Sequence, residues 1–413
     1  MVADTVMRDL VIVMGVSLLA VFVLQRWKLP PLVGFLIAGV VIGPGGFGLV
    51  SDRESVTALA NIGVVFLLFT VGLKFSIKQL IRMKFLVLGA GSAQVLGTAG
   101  IAALIAWLFG VSPPTAVLLG FMVAQSSTAV MLKILEQRGE SDSLHGRVAV
   151  AVSIFQDLAS VPLILMIPLL GTGADTSLQD IGLTTLKSLG AIVVLLIVGL
   201  KIAPYIFKHV VRTRVREAFT ISVILMVIAV AWFSNSLGLS MALGAFVAGV
   251  VVSESDYSQQ ILGDVSPISD ALSSLFFVSV GMLVHVQDWA AQPLLTAGVT
   301  LSVIALKGVV MIGVGMAFGF GPRVGILSAL ALAQVGEFSF ILAMAGIAVG
   351  ILDSANYQLA LSVSVLSMAL APLTMTMAGA LTRRDNHMQW LSRYFRSSGR
   401  FKSPQPEHGQ SSL

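Results

Sequence analysis

Apolar residues arrive along this chain in blocks of about twenty, separated by short polar stretches, from the first residues to beyond position 380. Twenty apolar residues are what an α-helix needs to cross the hydrocarbon of a bilayer. The pattern predicts about 13 spans, near 8–25, 30–50, 55–74, 84–109, 114–137, 146–170, 182–209, 217–235, 238–253, 268–285, 291–319, 323–350 and 354–381. The fold class is therefore an all-α polytopic membrane protein, with a transmembrane domain over 1–382 and a short basic tail over 383–413. Only Arg8 precedes the first apolar run, with an acidic residue and no small-residue cleavage site, so that run reads as a first helix and not a removed signal.

Composition agrees. Hydrophobic residues make up 56% of 413 and charged residues 11%, where a soluble domain carries about 25% charged. The net charge of +5 invites a nucleic-acid reading, but the basic residues sit in loops between apolar runs. Assigned alternately, one side collects Arg26, Lys28, Lys74, Lys78, Arg82, Lys84, Lys133, Arg138, Arg147, Lys208, Arg212, Arg214, Arg216, Arg323 and the tail, while the other has little beyond Arg8 and Arg53. The positive-inside rule then places the N-terminus outside and the C-terminus in the cytoplasm of a prokaryotic inner membrane. The partner expected is membrane lipid, not nucleic acid. There is no cysteine, and the five histidines are scattered in loops, helix ends and the tail, so a transition-metal site has few ligands to draw on.

The chain also repeats itself at an offset of 209 to 210 residues. GFLIAGVVIG from Gly34 returns as GAFVAGVVVS from Gly244, FTVGL from Phe69 as VSVGM from Val278, VAQSSTAVM from Val123 as LAQVGEFSF from Leu332, and VPL from Val161 as APL from Ala371. The second and ninth spans stand an odd number of crossings apart, so the copies, about 30–170 and 239–381, run in opposite directions. Inverted repeats of this kind build secondary transporters with a site near the midplane.

Few ionisable residues remain at hydrocarbon depth: Asp157, Lys307 and Glu337. Each costs about 2.5–3.5 kcal/mol on insertion scales and is a functional candidate for that reason. A structural ion pair or polar clamp is the plainer alternative. Asp157, in SIFQDLASVP, lies mid-span. Burial favours a protonated carboxyl and a nearby cation favours the ionised one, so one group can hold either and each expels the other. Its neutral neighbour Gln156 lies about 100° away around the helix. Ser126, Ser127 and Thr128 cluster mid-span in the fifth segment, where an opened helix offers carbonyl and hydroxyl ligands for an alkali cation. In the other copy, Gln334, Gly336 and Glu337 occupy the same depth, so both copies carry a breakable helix centre. There Glu337 suits the positive N-terminal end of a half-helix. Lys307 stands alone in SVIALKGVVMIG. It is either a structural lysine, paired with Asp157 or with a helix C-terminus, or one that pairs with Asp157 when no cation is bound and releases when it binds; sequence does not separate the two.

SSTAV, FQDLASVP, ALGAFVAGVVVSES, FFVSVGM and AQVGEFSF together resemble the second monovalent cation:proton antiporter family, and within it the Kef-type potassium efflux branch. That branch reads QD where electrogenic sodium exchangers read DD. The resemblance covers about residues 8–381 and implies a homodimer of inverted-repeat subunits with crossed, discontinuous fifth and twelfth helices. It makes Asp157 the ion-binding carboxylate. It also matches Ser127 and Thr128 to the broken-helix positions, Lys307 to an eleventh-span lysine and Glu337 to the GEF glutamate. Kef-type chains continue into a nucleotide-binding regulatory domain, whereas about 30 residues follow the last span here, so ligand gating of that type is not expected and any regulatory subunit is separate and unknown. In that tail Trp390, Leu391, Tyr394 and Phe395 share one helical face among arginines, suited either to the membrane interface or to a disordered tail.

The expectation is thus a transporter and not an enzyme. It carries no cofactor and exchanges K+ or Na+ for H+ at Asp157, helped by Thr128, Ser127, Ser126 and Gln156. A channel-like K+ pathway, an organic-anion symporter and a divalent-metal transporter are the alternatives. The first lacks a carbonyl filter signature such as TVGYG. The symporter has only Lys307 as anchor, and the metal transporter lacks soft ligands.

Overall fold

The computed structural model describes residues 2–26, 30–50, 53–74, 85–171, 178–237, 239 and 241–383, and every regular element among them is helical. In chain order these are α1 (Val2–Gln25), α2 (Pro31–Ile42), α3 (Arg53–Lys74), a π-helical turn (Phe85–Gly91) running into α4 (Ser92–Leu108), α5 (Pro113–Ala124), α6 (Thr128–Gln137), α7 (Leu144–Gly171) and α8 (Leu178–Val211). They continue as α9 (Arg216–Ser236), α10 (Met241–Ser253), α11 (Ser258–Met282), the short α12 (Val286–Ala291), α13 (Pro293–Ala317), α14 (Pro322–Ala331), α15 (Phe338–Ala348) and α16 (Ser354–Arg383). Prolines open α2, α5, α13 and α14 in their first turn, where a missing N–H costs nothing.

Each expected span meets helical structure, but among the described residues nine helical segments are long and apolar enough to cross a membrane, with shorter apolar helices at 31–42, 61–73, 241–253, 322–331 and 338–348. Two boundaries move for physical reasons. The span expected at 30–50 ends as helix at Ile42, because the Gly43–Gly46 stretch closes into a turn. The span expected at 268–285 begins ten residues earlier, at Ser258. Hydropathy marks only the part of a helix that lipid sees; the polar first turns of α11 are held by Asp264, which accepts a 2.6 Å bond from Arg216. The tail from 384 onward, including Trp390 to Phe395, lies outside the described residues.

The helices sort into two bundles. In one, α3 packs on α10 and α11, α2 on α1 and α11, and α8 and α9 close over α10. In the other, α4 to α7 pack with α13 to α16. The repeat is visible in how the first bundle closes. A Cβ on Gly39 would lie 2.9 Å from Gly281 Cα, and one on Gly249 would lie 2.9 Å from Gly72 Cα. Gly39 and Gly249 are the same position of the two copies, as are Gly72 and Gly281. Each copy therefore presses its first glycine helix onto the second glycine helix of the other, through contacts that admit no side chain.

Candidate functional site

Two helices of the second bundle are interrupted at the same depth. The chain leaves α5 at Ala124, runs extended through Gln125, Ser126 and Ser127, and resumes as α6 at Thr128. It leaves α14 at Ala331 and resumes as α15 at Phe338. The two breaks cross in contact. A Cβ on Gly336 would meet the Ser126 carbonyl carbon at 2.4 Å. Backbone groups freed by each break are taken up by the other: Gly336 N–H donates to Gln125 O (3.1 Å), Gln334 Nε2 to Ser127 O (3.2 Å) and Ser126 Oγ to Leu332 O (2.8 Å). Ser127 caps α6 by accepting from Val130 N–H at 3.2 Å. The sequence-predicted hydroxyls and Gln334 thus serve largely to close the crossing.

Lys307, 1% exposed in mid-α13, reaches the other half of the first break. Its Nζ donates to the carbonyls of Val123 (2.7 Å), Ala124 (3.3 Å) and Gln125 (2.6 Å). Of the two pairings sequence left open, this is the helix C-terminus, where orphan carbonyls and the negative end of the dipole welcome a cation. Lys307→Met removes all three donors and leaves those carbonyls buried, at about 1–3 kcal/mol for each lost partner. The expected outcome is a lower apparent melting temperature in detergent together with lost transport, measured on the purified protein and in vesicles. A variant as stable as wild type would mean these bonds contribute little.

Gln156 is fully buried and committed elsewhere. Its Oε1 accepts from Ser126 N–H (2.9 Å) and its Nε2 donates to Gln94 Oε1 (2.7 Å). Gln94 in turn donates to Thr98 Oγ1 at 3.1 Å and Ala124 O at 3.4 Å. The amide expected beside the ion is instead a strut between α4, the first break and α7.

One step further along α7, Asp157 is half-buried and differently placed. Thr128 Oγ1, at the start of α6, donates toward its carboxylate, 3.0 Å from Oδ2 and 3.2 Å from Oδ1. The same hydroxyl also meets Ser153 Oγ, one turn before Asp157. Both Thr128 and Asp157 face a cavity of about 720 Å³ between the two bundles. Leu32, Thr70, Ser269 and Ser273 form its wall on the first bundle; Thr128, Lys133, Asp157 and Glu337 form its wall on the second. Pro30, just before α2, and Lys133 on α6 also line it. Of the five residues expected at the ion, Asp157 and Thr128 line this space, while Ser126, Ser127 and Gln156 stand behind it in the crossing.

Several participants escaped sequence reading. Gln94 and Ser153 look unremarkable in apolar helices, and their signal is only that each is a buried polar group needing a partner. Ser339 Oγ donates to Met122 O (2.5 Å), and Ser367 Oγ accepts from Val335 N–H (3.0 Å), one on each break. Gln125, with both amide atoms buried and without a partner among the described residues, was legible from the repeat, since AQ stands at 124–125 and again at 333–334.

Residues 13–380 match the model of the sodium/hydrogen exchanger transmembrane family. The chain belongs to that family. Within it, this exchanger-family chain is 35% identical over 372 residues to a putative K(+) efflux antiporter KefB of Alkalimonas amylolytica, covering 90% of this chain and 56% of the relative. It is 34% identical to the putative cation/proton antiporter YbaL of Escherichia coli K12, over 89% of this chain and 67% of that one. It is also 34% identical to the glutathione-regulated potassium-efflux protein KefC of a Salmonella heidelberg strain, over 91% and 60% respectively. The chain spans a little over half the length of the KefB relative. In fold it resembles the sodium proton antiporter MjNhaP1 of Methanocaldococcus jannaschii, with TM-score 0.63 and 18% identity over 96% of this chain and 99% of that one.

Proposed function

We propose that this chain is a secondary-active antiporter that exchanges a monovalent cation, K+ in preference to Na+, for H+ at Asp157. One observation carries the reading: a half-buried carboxylate, held by the Thr128 hydroxyl, lines a cavity between two helix bundles. A lone hydroxyl and carboxylate in a partly dry cavity give hard oxygen ligands to an alkali cation. The same carboxylate neutralises itself with a proton when the cation leaves. Family membership and relatives that bear K(+)-efflux names support cation exchange and the choice of K+.

The interface between the bundles also suggests how access alternates. Lys133 and Pro30 line the same cavity as Asp157, and the charge pattern of the loops assigns their end of the helices to the cytoplasm. On this reading the cavity belongs to an inward-facing state. Rocking one bundle against the other closes this opening and exposes Asp157 to the other side. The unit in the membrane is a homodimer in lipid, with its N-terminus outside.

The reading is tested in everted vesicles holding a respiration-driven pH gradient reported by a quenched dye. Adding K+ restores fluorescence, Na+ does so less, and choline does not. Because one carboxylate carries one charge in each direction, exchange in proteoliposomes is indifferent to an imposed membrane potential. Proton and cation compete, so below the pH at which Asp157 is half-protonated the apparent KM for K+ rises by up to about tenfold per pH unit. A K+ response no larger than that to choline, or one driven by potential alone with no proton movement, removes the proposal.

A further inference from the structure

We propose that Glu337 is a second carboxyl of the transport site, sharing with Asp157 the cation and the exchanged proton in the cavity between the bundles. The inference rests on Asp157 being the exchange site and adds a partner to it. Three observations carry it. Glu337 lines the same cavity as Asp157 and Thr128. It is 7% exposed, and its Oε2 has no hydrogen-bond partner among the described residues. It also sits at the N-cap of α15 without a side-chain bond to that helix's N–H groups, so the carboxyl is not used up as a cap. A buried carboxyl oxygen with no partner is costly unless something intermittent satisfies it, and a cation or proton in this cavity does so.

Position gives the pair its consequence. Thr128 and Glu337 occupy the same place in the two copies, so the pseudo-symmetric breaks present a hydroxyl and a carboxyl to one space. Among the described residues, the other charged groups lining that space are Asp157 from α7, Lys133 from α6 and Asp270 from α11. Two carboxyls in one partly dry cavity resist being ionised together. With K+ bound, both carboxylates are ionised around it; when K+ leaves, one proton takes its place and is shared by the two. The net transfer remains one cation for one proton.

Glu337→Gln tests this, with Glu337→Asp as the charge-retaining control. Purified protein is titrated with K+ across pH, reading cation-dependent thermal stabilisation, and vesicles report exchange. Loss of the neighbouring charge lets Asp157 ionise more readily, so in Glu337→Gln the midpoint of K+ binding and exchange moves to lower pH by about one unit, whereas Glu337→Asp stays near wild type. A Glu337→Gln protein with unchanged midpoint and unchanged apparent K+ affinity overturns the inference and leaves Asp157 as a single-carboxyl site. If Glu337→Gln does not fold, Asp157→Asn becomes the deciding variant. There, K+ stabilisation that persists at reduced affinity and fades as pH falls supports a second carboxyl, and its complete absence speaks against one. Wild-type protein that shows neither K+ stabilisation nor exchange removes this inference together with the exchange reading beneath it.

Discussion

Asp157→Asn protein inserts and folds as wild type does, and K+ added to its vesicles restores no more fluorescence than choline. Asparagine keeps the volume of the side chain and an oxygen for the Thr128 hydroxyl, which stands 3.0 Å from Oδ2. The half-buried position and the cavity around it persist. What disappears is the charge. At about 4 Å and an effective dielectric of about 20, a carboxylate attracts a cation by roughly 4 kcal/mol, worth about three orders of magnitude in affinity. The amide also cannot share the proton that replaces the cation, which weakens the return step as well. Thermal stability in detergent separates this from misfolding. Asp157→Asn lacks a charge that is hard to bury, so its melting temperature is at or above wild type. Normal exchange by this variant would place the transport site elsewhere.

Sequence reached much of this site because depth in a membrane is itself a signal. An acid such as Asp157 in an apolar run has to be explained, and so do Lys307 and Glu337. The repeat extended the reach further: AQSST against AQVGE marks both helix breaks at one depth, and in the fold those two breaks cross in contact. What sequence could not supply is direction around a helix axis at a break. Gln156 and Asp157 are neighbours in the chain, yet one points into the crossing and the other into the cavity. Ser126 and Thr128 divide in the same way, Ser126 donating to Leu332 O within the crossing and Thr128 opening α6 beside Asp157. Lys307 shows a second limit. Its partner is a set of backbone carbonyls, and carbonyls freed by a break leave no trace in composition.

The crossing also depends on a residue with no side chain. Gly336 lies outside the positive-φ residues of the chain, so its requirement is for space. A Cβ there would stand 2.4 Å from the Ser126 carbonyl carbon, 2.6 Å from its oxygen and 2.7 Å from Ser127 N. All three are backbone atoms of the other break, and no rotamer change moves them. Gly336→Ala therefore drives the breaks apart by about an ångström, enough to weaken bonds that begin at 2.8 to 3.2 Å. Three buried bonds weakened together cost on the order of 3–5 kcal/mol, a large share of the 5–15 kcal/mol that typically holds a folded protein. The expected result is an apparent melting temperature lower by roughly 5–10 °C and loss of cation exchange even in protein that reaches the membrane, because Thr128 and Glu337 move with their half-helices. Gly313→Ala in α13 is the matched control, since a Cβ there meets nothing within 4 Å, and it leaves both quantities near wild type. Equal behaviour of the two variants would mean that the breaks do not need to touch.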